Sequence, residues 1–414
     1  MSDILNNKRL LLIIGGGIAA YKVLDLIRRL RERGVRIRPV LTKGGAQFVT
    51  PLSVSALAEE KVYQDIFSLT DEAEMGHIRL SRETDLVLVA PATADLMAKM
   101  TAGIADDLAT TALLATDKPV LIAPSMNTKM WEHPATRRNL AQLQQDGIGV
   151  IAPGAGDLAC GEVGAGRLAE VPDMVRAIED FFDSRRAQSA LTGKHVVVTA
   201  GPTREAIDPV RYIANRSSGR QGYAIASALA DLGARVTLVS GPTALDCPDG
   251  VDRVDVESAR DMQTAVESAL PADVAVCVAA VADWRTEGCA EQKLKKQKDG
   301  LPDLHLVENP DILKSLSQRE KNRPPLVIGF AAETEKLADH ARAKRERKGC
   351  DWIVANDVSF TDGASVMGGD KNAVLLITGE DEKSWPEADK EQIAAQLATE
   401  IEKHFKKQAQ GNDK

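Results

Sequence analysis

Two stretches of the chain combine glycines with hydroxyl, amide and cationic side chains at spacings that suit a phosphorylated ligand. Gly15-Gly16-Gly17-Ile18-Ala19-Ala20 follows the apolar run Leu10 to Ile14 and satisfies a loose G-x-G-x-x-A. Such a turn sets backbone N–H groups and a helix N-terminus against a phosphate, although the same glycines would also allow tight packing of helix on strand. The second apolar run, Val35 to Leu41, ends in Thr42 and Lys43, where a dinucleotide site keeps Asp or Glu for the ribose. A hydroxyl and an ammonium suit the terminal phosphate of a mononucleotide instead. In the second half, Gly201-Pro202-Thr203-Arg204 and Gly241-Pro242-Thr243 each follow an apolar run, and neither is a Walker A loop or a GxGxxG. Between them, Asp208 to Arg220 (DPVRYIANRSSGR) is too polar for a core strand and dense in donors, which suits an anion. Its Ser217-Ser218-Gly219 would serve equally as an ordinary helix N-cap. Lys344 and Lys348 are four apart on a predicted helix and so share one face, where they could reach a triphosphate together. A solvated basic helix end within AKRERKG is the plainer reading of the same residues.

Such turns need a scaffold that ends several strands side by side. Short Val, Ile and Leu runs closed by Gly or Pro alternate with longer amphipathic stretches, the signature of a parallel sheet with helices on both faces. The pattern occurs twice and predicts an α/β chain of two doubly wound, Rossmann-like domains. Strands are expected at Leu10 to Ile14, Val35 to Leu41, Leu86 to Ala90, Val120 to Ala123 and Val150 to Ala152. The second series is expected at His195 to Ala200, Arg235 to Ser240, Val274 to Ala280, Leu326 to Phe330, Trp352 to Asn356 and Ala373 to Thr378. Residues 183–192 read as a linker between domains over 1–182 and 193–405, and residues 406–414 as a polar tail that frays from Lys403.

The 414 residues suffice for two cores, and the net charge of -8 argues against nonspecific nucleic-acid binding, so any anion site must be local. The five cysteines are odd in number and lack CxxC spacing, which indicates neither a disulfide framework nor a zinc ribbon and fits a reducing cytoplasm. The apolar run Leu10 to Ile14 is too short for a secretory or membrane-spanning segment.

Three more segments narrow the first half. Ala90-Pro91-Ala92-Thr93-Ala94-Asp95 leads through Lys99 and Gly103 to Ala105-Asp106-Asp107-Leu108; Ala123-Pro124-Ser125-Met126-Asn127 leads to Met130-Trp131; and Ala159-Cys160-Gly161-Glu162 runs into Gly164-Ala165-Gly166-Arg167. With Gly76-His77, these resemble the flavoprotein family of cysteine decarboxylases over roughly residues 8 to 180. The resemblance implies a flavodoxin-like fold and an FMN cofactor held by Gly15, Gly17, Ile18, Ala19, Thr42, Ala92 and Thr93, with Asp95 and Ser125 left open. A carboxylate beside CH2-SH has no electron sink, so the cofactor must first draw two electrons from the thiol-bearing carbon. The resemblance further implies His77 as the base of that oxidation, Asn127 as the holder of the substrate carboxylate, Met126 as a pocket wall, and Cys160 as proton donor in a glycine-rich flap. Taken singly, His77 reads as a surface residue, Asn127 as a turn residue and Cys160 as an inert thiol.

In the second half Ala279-Ala280-Val281-Ala282-Asp283-Trp284, Lys293-Leu294-Lys295-Lys296, Asn309-Pro310-Asp311-Ile312, Gly329-Phe330-Ala331-Ala332-Glu333-Thr334 and Ala355-Asn356-Asp357 all fall beyond expected strand ends, where open parallel sheets bind ligands. In this order they resemble the bacterial phosphopantothenate-cysteine ligases over residues 193 to 405. That family activates a carboxylate as its CMP anhydride before cysteine displaces CMP. The resemblance implies Lys293 as catalytic cation, with Mg2+ as a second cation whose ligands the sequence leaves open. It implies CTP contacts at Ala279, Asp283, Lys293, Asn309, Pro310, Asp311, Ile312, Phe330, Lys344 and Lys348, and contacts to the acyl substrate at Arg211 and Asn215. Asp283 alone could be a helix N-cap.

The two resemblances in this order imply the fused decarboxylase and ligase of bacterial coenzyme A synthesis. They imply small-molecule substrates (4'-phosphopantothenate, cysteine and CTP), a cytoplasmic setting, no nucleic-acid or membrane partner, and a homo-oligomer with trimeric decarboxylase and dimeric ligase contacts. A two-domain NAD(P) oxidoreductase is disfavoured because both second strands lack the acidic terminus. A flavoprotein without catalysis is disfavoured because His77, Asn127 and Cys160 are all present.

Overall fold

The computed structural model describes residues 4–65, 80, 83–157, 163–294, 304–333, 335–357 and 371–412. Internal contacts divide the chain after Ser184. Each unit has its own sheet and its own pair of apolar cores.

In the first unit β1 (Arg9–Ile14), β2 (Arg36–Leu41), β3 (Leu86–Ala92), β4 (Val120–Pro124) and β5 (Gly149–Val150) form a parallel sheet in the order β2-β1-β3-β4-β5. All seven residues of β3 are buried, so both faces of the sheet must be covered. Alternation along the strands decides which side chain goes where. Leu10, Leu12, Ile14, Leu86 and Leu88 join the cluster under α1 (Tyr21–Arg31) and α7 (Val171–Ala187). Leu11, Ile13, Val87 and Val89 pack on the other face against α3 (Ala94–Ala102), α4 (Leu108–Ala115) and α6 (Pro134–Gln145). The short helices α2 (Pro51–Ala58) and α5 (Thr128–Glu132) lie between them in sequence. A separate antiparallel hairpin, β6 (Gly154–Asp157) with β7 (Val163–Arg167), stands outside the sheet.

The second unit carries an eight-stranded sheet in the order β12-β11-β8-β13-β16-β17-β18-β19. β8 (His195–Ala200), β11 (Arg235–Ser240), β12 (Val251–Asp255), β13 (Val274–Cys277), β16 (Leu326–Glu333) and β17 (Trp352–Asp357) run parallel. β18 (Lys371–Ile377), expected as a strand at Ala373 to Thr378, runs antiparallel, and β19 (Glu382–Asp389), which the expected series did not contain, pairs with it at the edge. Two small hairpins, β9 (Arg204–Ala206) with β10 (Tyr212–Ala214) and β14 (Trp284–Thr286) with β15 (Leu306–Glu308), project from the strand ends. The expected strand Val274 to Ala280 stops at Cys277, because the chain turns away to bridge Pro202 through Ala280.

One face of this sheet is covered by α8 (Arg220–Asp231) and α12 (Lys390–Asn412), the other by α9 (Ala259–Ser268), α10 (Ile312–Ser317) and α11 (Leu337–Lys348). The division after Ser184 falls inside the expected linker, 183–192, of which residues 183–187 continue α7 and Leu191 is fully buried. One expectation needs correction. The tail expected to fray from Lys403 is helical to Asn412, since Phe405 enters the core and His404 meets Trp352 edge-on at 5.4 Å. Polar composition concealed one apolar stripe: Ile393, Leu397, Ile401 and Phe405.

Candidate functional site

Both sheets reverse their winding at one place. The chain leaves β1 toward β2 and returns for β3 on the other side; likewise it leaves β8 toward β11 and returns for β13. Such switch points open a crevice at the carboxyl ends of the two flanking strands.

At the first crevice the glycines divide their work. A Cβ on Gly15 would lie 2.2 Å from the Pro91 carbonyl oxygen, and one on Gly16 would lie 2.9 Å from Gly44 Cα. Gly15 and Gly16 therefore serve close packing. Gly17 has nothing within 4 Å on its Cβ side, and no side chain caps the following turn, Ile18–Ala20. The Ala20 N–H is taken by the Gly17 carbonyl at 3.0 Å, while the Ile18 and Ala19 N–H groups receive no side-chain cap; Ile18 is exposed and Ala19 half-buried. Thr42 belongs to the packing: its hydroxyl donates to the Ile14 carbonyl at 3.0 Å and accepts from the Gly45 N–H at 3.0 Å. Its one hydroxyl proton is thereby committed to the protein, while Lys43 is exposed at the same rim. Gly44 and Gly45, adjacent in the sequence, were missed as members of this rim; a Cβ on Gly45 would lie 2.5 Å from the Ile14 oxygen.

The wall opposite is Ala92, fully buried, and Thr93, whose hydroxyl caps α3 by accepting from the Leu96 N–H at 3.2 Å. Asp95 is exposed and pairs with Lys99 at 3.4 Å. The Ser125 N–H donates to the Ala92 carbonyl at 3.0 Å, which ties the end of β4 to this wall. Met126 and Asn127 follow. Asn127 caps α5 through Oδ1, which accepts from the Met130 N–H at 2.8 Å, so its amide NH2 remains available as a donor.

The hairpin β6–β7 is seated on this same segment. The Met126 N–H donates to the Gly166 carbonyl at 3.0 Å. A Cβ on Gly166, whose φ is +127°, would lie 2.4 Å from the Met126 oxygen, and one on Gly164 would lie 2.7 Å from Thr128 Oγ1. Cys160 and His77 lie outside the described residues.

At the second crevice Gly201, with φ +73°, and Gly219, with φ +76°, bring three turns into contact. Their added Cβ atoms would lie 3.0 Å and 2.8 Å from Thr243 Cγ2. Gly219, not a serine, stands at the N-cap of α8 and supplies no side-chain bond, which removes the plain capping reading of Ser217-Ser218. Fully buried Thr203, to which the sequence reading gave no role, accepts the Ala282 N–H at 3.0 Å; Ala279 N–H is held by Thr199 Oγ1 at 3.2 Å. Asn215 donates to the Val281 carbonyl at 2.9 Å.

Asp283 precedes a strand, not a helix, so it caps nothing. Its carbonyl accepts from the Asn309 N–H at 2.9 Å, and Asn309 Nδ2 donates to the Ala282 carbonyl at 2.8 Å while its Oδ1 is buried without a partner. Pro310 follows, half-buried, and Asp311 caps α10 and pairs with Lys348. Burial pushes the Asp311 carboxyl up, but Lys348 and the Lys314 N–H outweigh it and leave it below its ordinary value. Ile312 is buried beneath, and Phe330 is half-buried on β16. Burial lowers the Lys344 ammonium from the ordinary lysine value; Glu333 and Asp283 oppose the shift, and Lys348 and Arg347 add to it. Seven of the expected residues thus gather here: Asp283, Asn309, Pro310, Asp311, Ile312, Lys344 and Lys348.

Arg211 does not present a free guanidinium. It is bound by Asp208 and by the Leu294 carbonyl, next to exposed Lys293. Cys277 at the end of β13 is no nucleophile, because burial pushes its thiol up to about 12. Among the described residues no group of three or more His, Cys, Asp or Glu converges to hold a metal ion, and no helix is long and apolar enough to cross a membrane.

Residues 1–183 match the family model described as Flavoprotein, and residues 191–405 match the DNA/pantothenate metabolism flavoprotein C-terminal domain. A coenzyme A biosynthesis bifunctional protein CoaBC of Vibrio vulnificus is 46% identical over 96% of this chain and 98% of its own length. The protein of the same name from Bacillus subtilis is 46% identical over 90% and 91%. That from Escherichia coli K12 is 43% identical over 96% and 97%.

Proposed function

Since this chain belongs to the family of coenzyme A biosynthesis bifunctional proteins, an enzyme with decarboxylase and ligase activities, we propose that each switch-point crevice performs one of two consecutive steps. The second unit joins cysteine to 4'-phosphopantothenate at the expense of CTP. The first removes CO2 from the resulting 4'-phosphopantothenoylcysteine to give 4'-phosphopantetheine. The observation that supports this reading is that, among the described residues, the glycine-rich turns of both units lie at the carboxyl ends of strands beside the winding reversal.

In the first crevice the open side of Gly17, the uncapped N–H groups of Ile18 and Ala19 and the exposed apolar Ile18 fit a flavin mononucleotide. Gly17, Ile18, Ala19, Ala92 and Thr93 would hold it, while Gly15 and Thr42, expected as contacts, shape the turn through close packing and a committed hydroxyl. FMN, when bound, supplies the reversible two-electron sink that this decarboxylation needs. The chain supplies the rest. The NH2 of Asn127 donates to the substrate carboxylate, Met126 walls the pocket, His77 takes the proton released in the oxidation, and Cys160 protonates the carbon left after CO2 departs. Cys160→Ala is expected to accumulate an unsaturated, already decarboxylated product, seen by mass spectrometry; normal turnover would remove the assignment.

In the second crevice a carboxylate oxygen of phosphopantothenate attacks the α-phosphorus of CTP and expels pyrophosphate, and the amine of cysteine then attacks the acyl carbon and expels CMP. Negative charge builds on the α-phosphoryl group and on pyrophosphate. Lys293, Lys344 and Lys348 meet it, with Mg2+ carried in on the triphosphate. Asp283, the turn Asn309 to Ile312 and Phe330 surround cytosine and ribose, and Asn215 contacts the acyl group. Exposed apolar side chains, Ile18, Tyr21 and Leu52 on the first unit and Tyr212, Trp284 and Leu306 on the second, support oligomers through both units, read here as trimeric and dimeric contacts in a cytoplasmic enzyme. Sedimentation of the pure protein tests the assembly. The reaction is tested by incubating it with phosphopantothenate, cysteine, CTP and Mg2+; phosphopantetheine is expected, and its absence with CTP unconsumed would end the reading.

A further inference from the structure

Asp208 opens the donor-rich segment after β9, and its carboxylate is wholly enclosed. Oδ1 accepts the N–H groups of Val210 and Arg211, both at 2.9 Å, and so closes a local turn. Oδ2 faces elsewhere. It accepts Arg211 Nε at 2.9 Å, Arg211 Nη2 at 2.5 Å, and the N–H of Leu294 at 3.1 Å from 86 residues away. The same Arg211 Nη2 donates to the Leu294 carbonyl at 2.8 Å. One ion pair, its carboxylate enclosed and its guanidinium half-exposed, therefore holds both backbone polar groups of a single remote residue.

That residue adjoins Lys293, which is exposed and has no partner among the described residues. A lysine side chain has four rotatable carbons and little to direct it once its backbone is free. The turn would be complete with Oδ1 alone; the Oδ2 half of the arrangement serves only the chain at Leu294. The guanidinium beside Asp208 holds its carboxyl far below the ordinary carboxylate range, so the pair stays ionised throughout any working pH.

We propose that Asp208, through Arg211, is the positioning residue for Lys293: it fixes the backbone from which the catalytic ammonium reaches the α-phosphoryl group. The proposal rests on the ligase reading of the second unit. It reassigns Arg211 from substrate contact to the clamp.

Asp208→Asn in the full chain keeps an acceptor for the turn and replaces the oxygen that serves Leu294 with a donor. Expected are a fall in the turnover number for CTP-dependent pyrophosphate release of about 10- to 100-fold, a KM for CTP changed by less than about two-fold, and faster hydrogen exchange at the Leu294 amide. In a Lys293→Gln background the same change should slow the reaction no further, because the group it aims is gone. Arg211→Lys, which cannot bridge Asp208 and Leu294, should lower turnover without raising the KM for phosphopantothenate. Decarboxylation of added phosphopantothenoylcysteine should be unchanged, which reports an intact chain. Wild-type turnover in Asp208→Asn, losses that multiply with Lys293→Gln, or a raised phosphopantothenate KM in Arg211→Lys would each overturn the proposal. If the wild type releases no pyrophosphate from CTP, the ligase reading itself has failed; unchanged exchange at Leu294 overturns the clamp independently.

Discussion

Lys344 shows how much a single ammonium depends on what surrounds it. It is half-buried, and desolvation lowers its pKa even though Glu333 and Asp283 pull the other way. A lysine shifted down loses its charge at lower pH than the ordinary value of about 10.4. The kcat/KM for CTP, which reports the free enzyme, should therefore fall on an alkaline limb below that value, and Lys344→Arg should move the limb upward. A limb unmoved by the substitution would exclude Lys344 from nucleotide binding. At Lys293 the expectation is simpler: Lys293→Gln should lower CTP-dependent pyrophosphate release by about 100-fold or more, to a residual rate that a direct assay still reads. Charged and amide residues of this kind stand out in a sequence because chemistry restricts which types can serve. Asp208 and Thr203 were not, although both stood in quoted segments. Their roles come from burial and from partners 86 and 79 residues away, which no local spacing encodes. The only local signal was Asp208-Pro209, a turn-forming pair.

Among the elements, strands buried on both faces announced themselves as continuous Val, Ile and Leu runs, so β1, β3, β4, β8 and β11 lie where the sequence places them. β19 escaped notice because it is an edge strand with mostly polar, half-exposed side chains (EKSWPEAD). α12 was truncated in the reading because only one stripe of it is apolar. Hairpin β6–β7 offers the sharpest test at this scale. Gly166→Ala places a Cβ against the Met126 carbonyl at a φ that disfavours any side chain, so the hairpin must lift from Met126–Asn127. Decarboxylation should fall about 10-fold or more, with flavin absorbance and ligation both retained. Loss of flavin from this variant would show that the hairpin supports the cofactor instead. For α12, Phe405→Ala removes a ring from the second core and should cost about 3 kcal/mol, read as a lower urea midpoint for loss of ligation but not of decarboxylation.

Across the described residues, two large sheets and four apolar clusters follow from a chain too long for one interior. Residues 1–184 and 185–414 made as separate chains should each keep their own activity, flavin-dependent CO2 release in one and CTP-dependent amide formation in the other. Failure of either piece to fold would show that the two cores are not independent. The order of the elements has a consequence for biosynthesis. The strands of the first unit's sheet are all made by Val150, whereas the core of the second takes Ile393, Leu397, Ile401 and Phe405 from α12, far later in the sequence. While those residues remain inside the ribosome, α8 and the strands beneath it stand uncovered. A nascent polypeptide can therefore bind flavin before its second unit has closed, and ligase activity becomes the report that α12 has seated on its sheet.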